Sequence, residues 1–274
     1  MKIKIFAIVL SVVLLAPLCH AQENGGLIQQ ADSLYEQRGD LARAREALDR
    51  CREALLTGED SYGAYWRMAR VEYWIGDHTR DNGEKKKIFE QGIYHAKKAV
   101  QLAGDKPEGH YWLGINYGVY GEAKGILKSL SLVKPIKEEM NKVLAMDPAF
   151  DDGGADRVLG RVYHELPGFA GGSKKKSLDH LLKSREMGPR VGLTRIYLAD
   201  TYLSMDEIEK ARQELEFVMA MEPDPKLIPE TAEEKEMARK RLEKKEFRKK
   251  SKNPGLPSQP RLRNNTLARW TRRG

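Results

Sequence analysis

The side chains in this chain with the most chemistry to offer are aromatic and cationic. Trp66, Arg70, Tyr73 and Trp74 lie close together, Tyr111 and Ile115 follow, and Arg157, Arg161 and His164 form a third group. A guanidinium offers a planar pair of donors to a carboxylate, and aromatic faces bury the apolar remainder of a ligand. Such a set suits an anionic organic molecule, a lipid-like one, or an acidic peptide segment. The plain alternative is that the rings pack helices together and the arginines are solvated. A second unusual stretch runs from Glu165 through Phe169, Gly171 and Gly172 to Ser173 and three lysines. Exposed glycine amides ahead of a helix start can cradle phosphate. The P-loop order of Gly, Lys and Ser or Thr is absent, however, and no strand precedes the stretch. It therefore reads as a structural turn with Ser173 as the helix cap, Phe169 shaping the rim of a groove. The six His form no His-x-x-x-His or mixed carboxylate cluster, so neither a metal nor a cofactor is expected. Glu138-Glu139 and Asp151-Asp152 are adjacent pairs whose side chains diverge on a helix and read as solvated faces. With no recognisable Ser-His-Asp arrangement either, the reading is not an enzyme.

The elements that must position these residues emerge from internal repetition. His110-x-x-Leu113-Gly114-x-x-Tyr117, Asp156-x-x-Leu159-Gly160-x-x-Tyr163 and Arg195-x-x-Leu198-Ala199-x-x-Tyr202 share one frame. Each is followed by a second amphipathic stretch that ends at Pro148, Pro189 or Pro223. In the last copy Ala211, Leu215, Val218 and Pro223 follow Tyr202 at the offsets of the 34-residue tetratricopeptide pattern. A Leu-Gly pair lets the first helix approach its partner closely, and the Tyr fills the space one turn on. The Pro stops the second helix because its ring cannot continue the hydrogen-bond ladder. Weaker copies span 62–100 and 27–55, the latter with Gly39-Asp40 as its turn and Ala44, Leu48 and Cys51 on its second helix. The expected fold is an all-α, tetratricopeptide-like solenoid of about five helix pairs. Against the standard repeat, about 11, 10 and 5 extra residues fall between the helices of repeats two, three and four, which predicts expanded turns collected on one edge.

Composition sets the outer limits. The chain has 274 residues, 32% of them charged, and a net charge of +8. Its mean hydropathy of −0.61 excludes a polytopic membrane protein. Two cysteines support no disulfide framework, and Cys51, set in a run of small residues, reads as a buried small hydrophobe. Residues 1–21 read as a secretory signal: Lys2 and Lys4, an apolar run to Leu15, then a small-x-small pattern ending at Ala21. A lipid anchor at Cys19 is disfavoured by Leu18 before it, so simple cleavage and export to the periplasm or cell envelope are expected. Residues 226–274 carry sixteen Lys or Arg against six Glu, a net of +10 that leaves 22–225 at −4. Domain boundaries are thus 1–21 leader, 22–225 helical repeats, 226–250 charged helix and 251–274 basic disordered tail. The tail suits contact with an anionic membrane surface better than with nucleic acid, which is not an expected partner.

Residues 62–190 carry a more specific pattern. The runs His110-Tyr111-Trp112-Leu113-Gly114, Lys124-Gly125-Ile126-Leu127 and Leu159-Gly160-Arg161-Val162-Tyr163-His164-Glu165-Leu166-Pro167-Gly168 resemble the T-component family of tripartite ATP-independent periplasmic (TRAP) transporters. The same pattern is similar to the regulator of microtubule dynamics proteins, which share the repeat fold. The first resemblance implies a helical periplasmic protein that associates with a solute-binding subunit of an organic-acid uptake system, often with self-association into a homo-oligomer. The family's usual lipid anchor and its C-terminal limit are not matched here. The expected function is a non-enzymatic binding or adaptor protein, an accessory of such uptake, with a protein partner and an anionic or apolar ligand in its groove. The alternative is a structural assembly scaffold with no small ligand.

Overall fold

The computed structural model describes residues 26–223 and 227–248. The expected leader (1–21) and basic tail (251–274) lie outside the described residues. Every regular element among the described residues is a helix. Five antiparallel pairs follow one another: α1 (Leu27–Glu36) with α2 (Leu41–Thr57), α3 (Ser61–Asp77) with α4 (Asn82–Leu102), α5 (Pro107–Lys124) with α6 (Ile126–Met146), α7 (Phe150–Glu165) with α8 (Lys174–Met187), and α9 (Gly192–Ser204) with α10 (Ile208–Ala220). A further helix, α11 (Ile228–Leu242), packs on α9 and α10, and a short α12 (Lys245–Arg248) closes the described part.

Local chemistry explains where the helices start. Side-chain oxygens of Asp40, Asp60, Asp81 and Ser173 accept hydrogen bonds from backbone amides in the first turns of α2, α3, α4 and α8. Each satisfies a donor the helix cannot pair internally. Pro107 sits in the first turn of α5, where its missing amide is harmless.

The added residues of repeats two and three do not form loops. Only 78–81 separate α3 from α4 and only Gly125 separates α5 from α6, while α4 and α6 each run to 21 residues. The additions are helix formers with apolar anchors: Phe89 in α4 and Leu132 in α6 are buried. Repeat four does carry a loop over 166–173, containing a short 3-10 turn at Gly168–Ala170. Its Pro and Gly residues cannot be absorbed into a helix.

Packing follows the small-and-large rule. A Cβ on Gly114 would stand 2.2 Å from Met140 Cε, and one on Gly160 would stand 2.5 Å from Leu181 Cγ. Leu113, Leu159, Leu198, Ala199 and Tyr202 are buried, while Tyr117 and Tyr163 are half-buried against their neighbours. In repeat one, Ala44, Ala47, Cys51 and Ala54 are fully buried. Burial pushes the Cys51 thiol up to about 12, so it stays protonated and inert.

Candidate partner-binding groove

The first helices of the pairs (α1, α3, α5, α7, α9) touch one another in succession, as the groove-lining helices of the expected solenoid would. Tyr35 on α1, Tyr111 on α5 and Tyr197 on α9 all lie within electrostatic range of Tyr73 on α3. Burial drives the Tyr73 phenol well above its ordinary pKa and that of Tyr35 up to about 12. The ring of Tyr73 meets Trp112 at 5.7 Å, and Tyr111 meets Trp112 and Phe150 edge-on at 5.3 Å. These neutral aromatic rings form a belt drawn from all five repeats.

The arginines of this face are already partnered. Arg70 and Arg67 both grip Asp32, at 2.7 and 2.8 Å, and both lie over the Trp66 ring. Arg157, 8% exposed, pairs with Asp151 at 2.5 Å and donates to Tyr111 Oη at 3.0 Å. Tyr111 in turn donates to Asp151 at 2.6 Å. Arg161 binds Asp200 and Glu165 and stacks over Tyr197. His164 receives a 3.3 Å contact from the Thr201 hydroxyl, and burial together with the Arg161 charge lowers its pKa.

The turn that presents Asp151 is strained. Asp151 and Asp152 hold φ of 52° and 53°, and Gly153 follows at 73°, so α7 begins with three residues in the left-handed region before its right-handed turns. Such geometry costs roughly 1–2 kcal/mol per non-glycine residue and persists only where neighbours fix it. Here the bonds of Asp151 to Tyr111 and Arg157 supply the fixing.

Helix α11 packs on α9 and α10 and reaches repeats one and two through side-chain contacts. Its start seats Pro229 against Gly39 in the turn of repeat one. Glu230 binds Arg38 through two bonds of 2.5 and 2.7 Å. Glu233 meets His78 at the end of α3, at 2.7 Å. Glu234 accepts from the Leu193 amide on α9, at 2.7 Å. Arg241 takes Asp200 on α9 through bonds of 2.8 and 2.9 Å. About 22 Å of helix thus ties the first two repeats to the fifth. Ala238 and Thr231 are its buried contacts. Burial raises the Glu234 carboxyl to about 7, the neighbouring Glu230 and Glu233 adding to the effect.

The sequence reading of the groove divides accordingly. Arg70 lies over Trp66, Tyr73 is within electrostatic range of Tyr111, Arg157 bonds Tyr111, and Arg161 lies over Tyr197. Trp74 does not line the groove: the ring is 4% exposed, donates its indole N–H to the Arg38 carbonyl at 2.8 Å and stacks on His78. Ile115 packs against the core shared by α5, α6 and α7, and Asp151, read as solvated, is a working member of the Tyr111–Arg157 cluster. Phe169 stands 92% exposed at the tip of its loop, and the backbone at Gly172 passes too near the Leu166 carbonyl for any Cβ. Ser173 caps α8 by accepting from the Lys176 amide. Missed altogether were Asp32, Tyr35, Arg38, Tyr197, Asp200 and the acidic side of α11. Asp200 was within reach, since it holds in repeat five the offset of Ile115 and Arg161 in repeats three and four.

Comparison with known proteins agrees with this architecture and changes its setting. A solved thermophilic TPR protein of Thermus thermophilus superposes with a TM-score of 0.56 at 18% identity, over 78% of this chain and 96% of its own, which shows the fold. Regulator of microtubule dynamics protein 3 of Rattus norvegicus is 25% identical over 207 residues, 68% of this chain and 42% of the relative. Its Xenopus laevis counterpart is 28% identical over 140 residues, 51% and 29% of the two chains. The chain spans less than half the length of these relatives. The expected periplasmic or cell-envelope location is overturned by them: they are animal proteins named for microtubule dynamics, from cells that have no periplasm. Of the two resemblances read from residues 62–190, it is the second that the comparisons establish. The sequence pattern of regulator of microtubule dynamics protein 1-3 matches residues 27–165, from α1 to the end of α7 and half of the whole, and the chain belongs to that family.

Proposed function

We propose that the protein is a non-enzymatic interaction adaptor whose concave face receives a helical segment of a partner protein, a place that α11 fills in the isolated chain. The observation that carries this reading is the run of α11 contacts, Glu230 to Arg38, Glu233 to His78 and Arg241 to Asp200, spanning the groove from repeat one to repeat five. A helix laid in a groove through spaced anchors is a standard mode of peptide recognition. The chemistry of α11 describes the partner: a helix acidic toward its N-terminus and basic toward its C-terminus, which also suits the helix dipole.

A small organic-acid ligand has less in its favour. Arg70, Arg157 and Arg161 each already pair with an internal carboxylate. The clefts at α11 and beside α2–α4 measure about 180 and 250 Å³, below the ~300 Å³ of ordinary ligand sites. An accessory role in organic-acid uptake therefore rests on the resemblance alone.

The test uses the full chain carrying Glu230→Arg and Arg241→Glu, which frees α11, and a fluorescent peptide with the sequence of residues 228–242. Anisotropy should show the peptide binding the double variant and not the parent. A folded double variant that ignores the peptide would remove the helix-groove reading. The relatives' name adds a second assay, co-sedimentation of the full chain with polymerised microtubules; a chain that stays in the supernatant would leave the microtubule role with the relatives.

A further inference from the structure

The turns that join the two helices of repeats two, three and four lie on one edge of the superhelix. Glu122 at the end of α5 sits in the field of Lys85 at the start of α4 and of Arg161 and Glu165 at the end of α7. Lys174 at the start of α8 donates to the Ser204 carbonyl at the end of α9. From this edge three large apolar side chains project into solvent. Ile126 is 75% exposed and Leu127 82%, both in the first turn of α6, and Phe169 is 92% exposed in the α7–α8 loop. Gly125 (φ 100°) and Gly171 (φ 88°) make the sharp reversals that lift them, and nothing lies within 4 Å of a Cβ placed on either glycine.

The surroundings are cationic. Across 77–90, 122–128 and 165–176 the chain carries nine Lys or Arg against six Asp or Glu, whereas 22–225 as a whole is net −4. Lys124, Lys128 and Lys174–176 are exposed, and among the described residues neither they nor Lys85–87 form an ion pair with a carboxylate. The corresponding turn of repeat five is acidic, with Asp206, Glu207 and Glu209, so the feature ends at repeat four.

We propose that this edge docks on an anionic phospholipid bilayer, with Ile126, Leu127 and Phe169 entering the boundary between headgroups and acyl chains and the lysines meeting lipid phosphates. Apolar side chains flanked by lysines free of carboxylate ion pairs are the pattern of an interfacial contact. A folded protein partner would need a preformed pocket for each of these separate projections, whereas a fluid interface accepts them wherever they fall. The inference stands apart from the helix-groove reading.

Vesicle flotation tests it with the full chain. The parent should float with phosphatidylcholine vesicles containing phosphatidylserine and not with phosphatidylcholine alone. Leu127→Asp with Phe169→Asp should lower the bound fraction at least about tenfold, since each residue gives up the burial of a large side chain. Both positions are exposed, so an unchanged circular dichroism spectrum and Tm will show that the variant is folded. No flotation of the parent would overturn the proposal. Equal flotation of parent and variant would also overturn it, assigning membrane contact to the basic residues of 249–274. Dimerisation of the parent by sedimentation velocity, lost in the variant and without flotation, would instead give the edge to a second copy of this chain.

Discussion

Gly114 and Gly160 hold the same place in successive repeats, yet their neighbours differ in a way that sets the cost of change. The Cβ of Gly160→Ala would press on the branched Cγ of Leu181 and approach the Ser177 carbonyl at 3.2 Å. Overpacking of that kind costs about 1–3 kcal/mol, against a gain of about 1 kcal/mol from helix propensity. Gly114→Ala would meet chiefly the terminal methyl of Met140, the free end of a flexible side chain. Urea unfolding should therefore place Gly160→Ala about 1–2 kcal/mol below the parent and Gly114→Ala within about 0.5 kcal/mol of it. Asp151→Ala is the severer change. It strips the buried Arg157 of its carboxylate and releases the left-handed turn, and should cost about 3 kcal/mol. The repeat frame itself acquires a reason at this scale. Its first residue, His110, Asp156 or Arg195, reaches across to Glu139, His180 or Glu214 on the second helix, so each of these pairs is clasped by a polar side-chain contact.

Helix α11 is held by groups that titrate in different directions, which makes its docking pH-dependent. Burial raises the Glu234 carboxyl from 4.5 to about 7, so between those values the docked state binds a proton that the released state does not. Its contribution is fully present below about pH 4.5 and is lost as pH rises through 7. His78 acts in the same sense. Burial opposes its charge, but its bonds to Glu233 and the Trp74 carbonyl prevail and raise its pKa, so that pair is lost on the alkaline side. Asp200 is the reverse case. Burial opposes its charge, the bond to Arg241 overcomes this, and its lowered pKa means the clasp fails only in acid. Stability should thus be greatest near pH 5–6 and fall toward pH 8, by on the order of 2 kcal/mol from Glu234. Urea midpoints at pH 5.5 and 8 will measure this. Glu234→Gln should flatten the slope, and an equally steep slope in that variant would contradict the assignment.

Taken whole, the described part is a solenoid whose first and fifth repeats are tied together through α11. Repeats of this kind touch mainly their neighbours, and a curved array therefore flexes unless a cross-tie spans it. The Arg38–Glu230 pair, separated by 192 residues, is such a tie, with the Arg38 side chain only 4% exposed. Charge reversal at Glu230 should leave the helical content intact while raising the radius of gyration in small-angle scattering. A radius equal to the parent's would mean that the repeats hold their curvature unaided. The same release would expose the aromatic belt around Tyr73, so increased binding of a hydrophobic dye should accompany the expansion.

The helix pairs, their close contacts through Gly114 and Gly160, the cap at Ser173 and the buried Cys51 were legible in the sequence, because each is written in a local pattern of small, large and breaking residues. The length of α4 and α6 was misread as turns, since an insertion rich in helix formers leaves no punctuation to distinguish loop from continued helix. The occupancy of the arginines belonged to tertiary structure alone. Whether Arg70 faces a ligand or Asp32, and Arg161 a ligand or Asp200, depends on which helix stands beside it, and that neighbour lies some forty residues away. The seat of α11 lay further beyond sequence reasoning. It is fixed by superhelical curvature accumulated over five repeats, a sum that no window of residues contains.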